Sequence, residues 1–173
     1  GFARGDGDRV GNVDYGQKTA AYYREKIELP FFVAHLKNKG VPPEGARVFE
    51  TGTNRWRSFE SWPPPQAAAR TFYPRERGQS LAAAPPAADG FDEYVSDPNR
   101  PVPYVGHVQI GMQRDYMTED QRFAAQRPDV LVYQTEPLAE DLTVAGPIGV
   151  TLHVSTSGTD SDFVVKVIDV YPP

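Results

Sequence analysis

The chain contains no cysteine. Disulfides, thiolate nucleophiles and Cys-based zinc sites are therefore excluded within it, although a compartment is not assigned by that absence. Long apolar runs are also missing: nothing approaches the roughly 18 residues of a membrane span. Positive charge is sparse. The net charge is −5, and the basic clusters are Arg55-Trp56-Arg57 and Arg75-Glu76-Arg77. Neither makes the broad positive surface that a phosphate backbone requires, so neither nucleic acid nor membrane is expected as a partner. Histidine occurs three times, at positions 35, 107 and 153. The sequence opens on Gly and stops at Pro173 just after a strongly apolar stretch, which reads as an excerpt of a longer chain.

What is present falls into two patterns. Residues 1–13 are rich in Gly and charge and read as a loop. Residues 15–39 then show helical spacing, with Tyr23, Ile27 and Phe31 recurring every four positions. Pro30 cannot donate to the carbonyl of Lys26, so a kink is expected there, and Gly40 marks a C-terminal stop. Residues 46–51 are a strand candidate followed by a turn at Gly52-Thr53-Asn54. Nine of the 17 prolines lie between positions 63 and 103. This argues for loops and short edge strands, with candidates at 71–73 and 93–95. From Val130 the pattern becomes β. Ile148, Val150, Leu152 and Val154 alternate with polar or small residues, and 163–171 is apolar on both faces except at Lys166 and Asp169.

The chemistry of a self-contained hydrolase is not legible. A nucleophile elbow needs Gly-x-Ser-x-Gly between a strand and a helix. The nearest approach is Gly78-Gln79-Ser80-Leu81-Ala82. It runs into Ala83-Ala84-Pro85-Pro86, which cannot continue as a helix, and it reads as a hairpin turn. His35 belongs to the helix and His153 to the polar face of a strand. His107 lies in an irregular segment without a matched Ser and Asp. No catalytic residue is assigned on this ground. Asp6-Gly7-Asp8 and Asp160-Ser161-Asp162 space carboxylates as calcium loops do but lack the rest of the ligand run. They read as solvated loops, and neither metal nor cofactor is expected.

Several segments together resemble one family. They are Arg4-Gly5-Asp6-Gly7-Asp8-Arg9, Tyr22-Tyr23-Arg24-Glu25 with Pro30-Phe31-Phe32, and Thr51-Gly52-Thr53-Asn54-Arg55-Trp56-Arg57 closing at Ser61-Trp62-Pro63. Pro101-Val102-Pro103-Tyr104, Glu119-Asp120-Gln121-Arg122-Phe123 and Pro128-Asp129-Val130-Leu131-Val132-Tyr133 follow, then Thr159-Asp160-Ser161-Asp162-Phe163. In this order they resemble the cocaine-esterase, α-amino-acid ester hydrolase and glutaryl acylase family, serine hydrolases related to the X-Pro dipeptidyl peptidases. The resemblance implies an α+β chain, mainly β. Residues 1–62 would be the terminal helix and strand of an α/β-hydrolase domain, and 63–173 part of a jelly-roll-like β-sandwich.

The resemblance carries no triad residue onto this chain, because the family's histidine falls just before the equivalent of Arg4. It does place 105–117 near the acyl pocket, with His107, Ile110 and Met112 as substrate-binding candidates beside the alternative that they are ordinary loop. The implied activity is hydrolysis of esters or amides of small acyl groups through an acyl-serine, completed by the remainder of the hydrolase, with homo-oligomers possible. The stretch 116–123 favours the amino-acid-ester and glutaryl-acylase branch. A different class also remains open: a free-standing sandwich that binds a ligand or carbohydrate through Trp56, Trp62 and Tyr104.

Overall fold

A computed structural model of the chain describes residues 5–75, 80–111 and 113–171. The N-terminal residues are not a plain loop. Arg9–Val10 (β1) pairs antiparallel with Val13–Asp14 (β2), and Gly11 supplies the left-handed conformation (φ +54°) that the tight turn requires. The preceding backbone then seats the first helix. The carbonyl of Asp6 accepts the N–H of Ala20 at 2.9 Å, and that of Gly7 accepts the Thr19 hydroxyl at 2.6 Å. Thr19 and Ala20 are buried beneath it.

Helical structure runs without a break from Thr19 to Lys37, as the spacing predicts, but its middle is not α. Thr19–Tyr23 (α1) passes into a π-helical turn, Arg24–Glu28, and then into Leu29–Lys37 (α2). The expected kink at Pro30 thus takes the form of a π-helical turn ending just before the proline. Widening the turn is a known way for a helix to absorb a disrupted hydrogen-bond ladder. It also changes the helical phase. Phe31, expected on the packed face, is 45% exposed. Tyr22, which the spacing did not single out, packs on the hairpin that follows. The stop is Asn38 rather than Gly40: Asn38 adopts the left-handed conformation and its N–H closes on the Val33 carbonyl.

The hairpin Ala46–Glu50 (β3) with Arg55–Phe59 (β4) forms where the sequence places it, with Phe49 opposite Trp56 and Ala46 opposite Phe59. Trp56 stacks on Tyr22 with ring centroids 4.6 Å apart, and Phe49 meets Tyr15 edge-on at 5.3 Å. The side-chain amide of Gln17 donates to the Asn54 carbonyl at 2.6 Å, fastening the hairpin turn to the helix start. Beyond the Trp62–Pro63 bond, which is cis, strands are short. Tyr73–Pro74 (β5) pairs with Leu81–Ala82 (β6), and Ser80 bridges to Gln134. Residues 93–95 form no strand. Asp115–Thr118 is a 3₁₀ turn and Arg122–Ala125 (α3) a single helical turn.

The strands expected across 130–171 are not formed beyond the bridge at Gln134. A strand must hand its N–H and C=O groups to a neighbour, and among the described residues no strand pairs with 148–171. The alternation in the sequence survives as an unfilled pattern. Ile148, Leu152, Val164 and Val170 stay 61%, 48%, 83% and 59% exposed. The whole chain accordingly exposes 14,779 Å², where a compact monomer of this mass would expose about 8,400 Å². The described regular structure is thus mainly β, a set of two-stranded antiparallel sheets with few helices.

Two predictions follow from the ordered parts. Gly45 has φ +67°, and a Cβ there would sit 2.2 Å from the Phe59 carbonyl oxygen. Gly52 has φ +87° but open space around it. In urea unfolding followed by Trp fluorescence, Gly52→Ala is expected to cost about 1 kcal/mol and Gly45→Ala at least about 2 kcal/mol more than that. Equal costs would contradict the hairpin geometry. Second, the Tyr133 hydroxyl donates to Asp92 Oδ2 at 2.7 Å. Burial, helped by that carboxylate, raises the phenol to about 12. A raised pKa stabilises the fold below the ordinary phenol value and loses that contribution as pH climbs through about 10 to 12. Ultraviolet titration of wild type against Tyr133→Phe should show one late phenol in that window; a midpoint near 10 would refute it.

Candidate functional site

The described sequence candidates, His107 and Ile110, lie on one loop whose construction explains what each can do. Val105, 5% exposed, anchors its base. Gly106 passes so close to α3 that a Cβ would lie 3.1 Å from the Phe123 ring, so a side chain there would push the loop off the helix. The Tyr104 ring packs edge-on against Tyr116 at 5.8 Å. Its hydroxyl accepts the Gln109 side-chain amide and the Gln113 backbone N–H, the latter at 3.2 Å. Gly111, at φ +77°, turns the chain back.

The far side of the loop is held by Glu119, which follows the 3₁₀ turn with an extended backbone. One carboxylate oxygen, Oε1, accepts the Gly106 N–H at 3.4 Å and lies 3.0 Å from His107 Nδ1. A carboxylate oxygen can only accept here, so Nδ1 carries the proton. The next residue, Asp120, receives the backbone N–H of Arg122 at 2.9 Å and its guanidinium Nε at 2.7 Å. The Arg122 side-chain and backbone donors bring the Asp120 carboxyl down to about 2. Gln121 donates to the Glu119 carbonyl at 2.9 Å and accepts from Lys166 Nζ at 2.8 Å. The Thr118 hydroxyl reaches the Val10 carbonyl at 3.4 Å, tying this region to the N-terminal hairpin.

The candidates therefore separate. The His107 imidazole is turned into the loop's own bonding. Ile110 and its neighbour Val108 are fully exposed, at 100% and 101%. Met112 lies outside the described residues. Sequence reading missed Tyr104 and Glu119 as the groups that shape the loop. The only trace was their place in the Pro-Val-Pro-Tyr and Glu-Asp-Gln-Arg-Phe stretches, because a contact spanning 12 residues leaves no local period.

Among the described residues no histidine meets a serine hydroxyl. His35 lies against Phe31, with centroids 4.5 Å apart, and His153 is exposed. Ser80 leads into β6 with no helix behind it, and Gly78 and Gln79 lie outside the described residues. Asp6 is occupied by Lys18 at 2.8 Å, and no cluster of three His, Cys, Asp or Glu side chains is found among the described residues. No described helix is long and apolar enough to cross a membrane. The flat aromatic face imagined for a carbohydrate does not form around Trp56, which is packed between Tyr22 and Phe49. What the loop can do chemically is present an apolar tip on a hydrogen-bonded base.

Comparison with known proteins agrees with this division between shape and chemistry. The chain is 34% identical over 155 residues to the cocaine esterase of Rhodococcus sp. (strain MB1 Bresler), covering 82% of this chain and 27% of the esterase. Among solved structures it resembles an aminopeptidase from a marine sediment Thaumarchaeota archaeon, with a TM-score of 0.68 and 34% identity over 80% of this chain and 24% of that one. It also resembles an α-amino acid ester hydrolase, with a TM-score of 0.67 and 33% identity over 82% of this chain and 25% of that one. The chain thus spans about a quarter of the length of the relatives it matches. Residues 39–173 match the X-Pro dipeptidyl-peptidase C-terminal non-catalytic domain. That match takes in most of the chain, which therefore belongs to the X-Pro dipeptidyl-peptidase-like family through its C-terminal non-catalytic domain.

Proposed function

We propose that these residues are part of a serine hydrolase that cleaves esters or amides of small acyl groups through an acyl-serine intermediate, with the catalytic triad outside the 173 residues. The observation that carries this reading is a pairing. The chain matches about a quarter of each of several hydrolases, and it matches a family described as non-catalytic. In this reading residues 1–62 close an α/β-hydrolase domain and 63–173 begin a jelly-roll-like sandwich. The oxyanion hole and nucleophile lie in the hydrolase part. The loop 104–113 contributes Ile110, with Val108, to the wall of the acyl pocket. The exposure of their side chains on an otherwise fixed loop supports this, since an apolar tip in water gains from being covered. The partners required are a small ester or amide and the remainder of the hydrolase chain.

The test uses two preparations. The purified 173-residue chain is expected to give no saturable turnover of p-nitrophenyl acetate or an amino-acid methyl ester. The full-length protein is expected to turn over at least one of them and to lose that activity to a serine-directed phosphonate. Turnover by the short chain that the phosphonate abolishes would overturn the assignment of the triad. A full-length protein inert to both the esters and the phosphonate would overturn the hydrolase reading itself.

A further inference from the structure

Glu119 stands out because one oxygen serves two successive residues of the loop, Gly106 through its N–H at 3.4 Å and His107 through Nδ1 at 3.0 Å. Its carboxylate is largely sheltered, 24% exposed, while His107 is 54% exposed. The opposite limb of the loop is tied independently by the Tyr104 hydroxyl through Gln109 and Gln113. Between these two ties stand Val108 and Ile110, fully exposed. A loop with an apolar tip in water would ordinarily gain by folding that tip inward. Fixing both limbs by hydrogen bonds prevents the collapse. Gly106 adds to this, because the loop base runs so close to α3 that even a Cβ there would lie 3.1 Å from the Phe123 ring.

We propose that Glu119 is a positioning residue: through Gly106 and His107 it holds the loop so that Ile110 meets the acyl group of the substrate. This rests on the acyl-pocket reading given above and adds the group that orients the wall. Glu119 touches no reacting atom. Its loss allows the 106–110 limb to move, so the substrate gives up apolar contact in both ground and transition state. That pattern falls on KM more than on kcat.

The experiment compares Glu119→Ala, Glu119→Gln and Ile110→Ala in the full-length protein, with p-nitrophenyl acetate and p-nitrophenyl benzoate as substrates. Glu119→Ala is expected to raise KM for the benzoate about threefold to tenfold, the range of one or two lost hydrogen bonds, with a smaller effect on the acetate. Glu119→Gln keeps an oxygen that accepts from both donors and is expected to restore the benzoate KM. Ile110→Ala should reduce the preference for the bulkier acyl group. If Ile110→Ala shifts that preference but Glu119→Ala leaves it intact, the positioning role is refuted and the acyl-wall reading stands. If Glu119→Ala lowers turnover of both esters alike and Glu119→Gln does not rescue it, the residue serves the fold and the positioning role is again refuted. If Ile110→Ala changes nothing, the acyl-wall reading fails and the inference fails with it.

Discussion

A β-strand cannot satisfy its own backbone, and that requirement governs this chain more than any side-chain preference. Where a neighbour is available the strand forms with full register, as in β3 and β4. Where none is available among the described residues, an equally good strand sequence stays unpaired, as in 148–171. Propensity is similar in the two places. The difference is that 46–59 folds back on itself through a four-residue turn at 51–54, whereas 148–171 has no described strand lying alongside it.

The ordered part is correspondingly local. It is held by a seam of aromatics, Tyr15, Phe49, Trp56 and Tyr22, in which successive rings lie 4.6–5.5 Å apart. Asp6 and Gly7 seat the helix start, and Gln17 fastens it to the hairpin turn. The second ordered region, around Val105, Phe123 and Glu119, is smaller and consists mainly of hydrogen bonds within one loop. Buried hydrophobic residues of the described chain are Ala20, Val105 and Ala124, none of them large. Burying one large apolar side chain contributes roughly 1.5–3 kcal/mol, so the uncovered residues of 148–171 hold stability that this sequence could supply. A family domain that is non-catalytic and covers a quarter of longer relatives fits a chain whose apolar faces await other surfaces.

What the sequence made legible followed contact range. The 46–59 hairpin was readable because its turn residues, Gly52 and Asn54, sit between two strands that pair with each other. The helix was readable in extent, but its packing face was not. Periodicity assumes a constant turn, and the π-helical segment 24–28 breaks that assumption, leaving Phe31 45% exposed while Tyr22 packs on Trp56. The β pattern of 148–171 was readable as a pattern, but pairing depends on a partner that no local signal can provide. At the candidate site, the stretch containing His107 and Ile110 was singled out through resemblance. The grip of Glu119 on that stretch was invisible, because it depends on how two segments 12 residues apart happen to meet.

The central claim is that the apolar segment 148–171 is unpaired in this chain by itself and becomes paired in the longer serine hydrolase proposed above. Amide hydrogen exchange read by mass spectrometry or NMR measures this directly, since protection reports backbone bonding segment by segment. In the isolated chain, 46–59 should be protected while 148–171 exchanges at close to unfolded rates. In the full-length protein, 148–171 should become protected. Protection of 148–171 in the isolated chain equal to that of 46–59 would contradict the account.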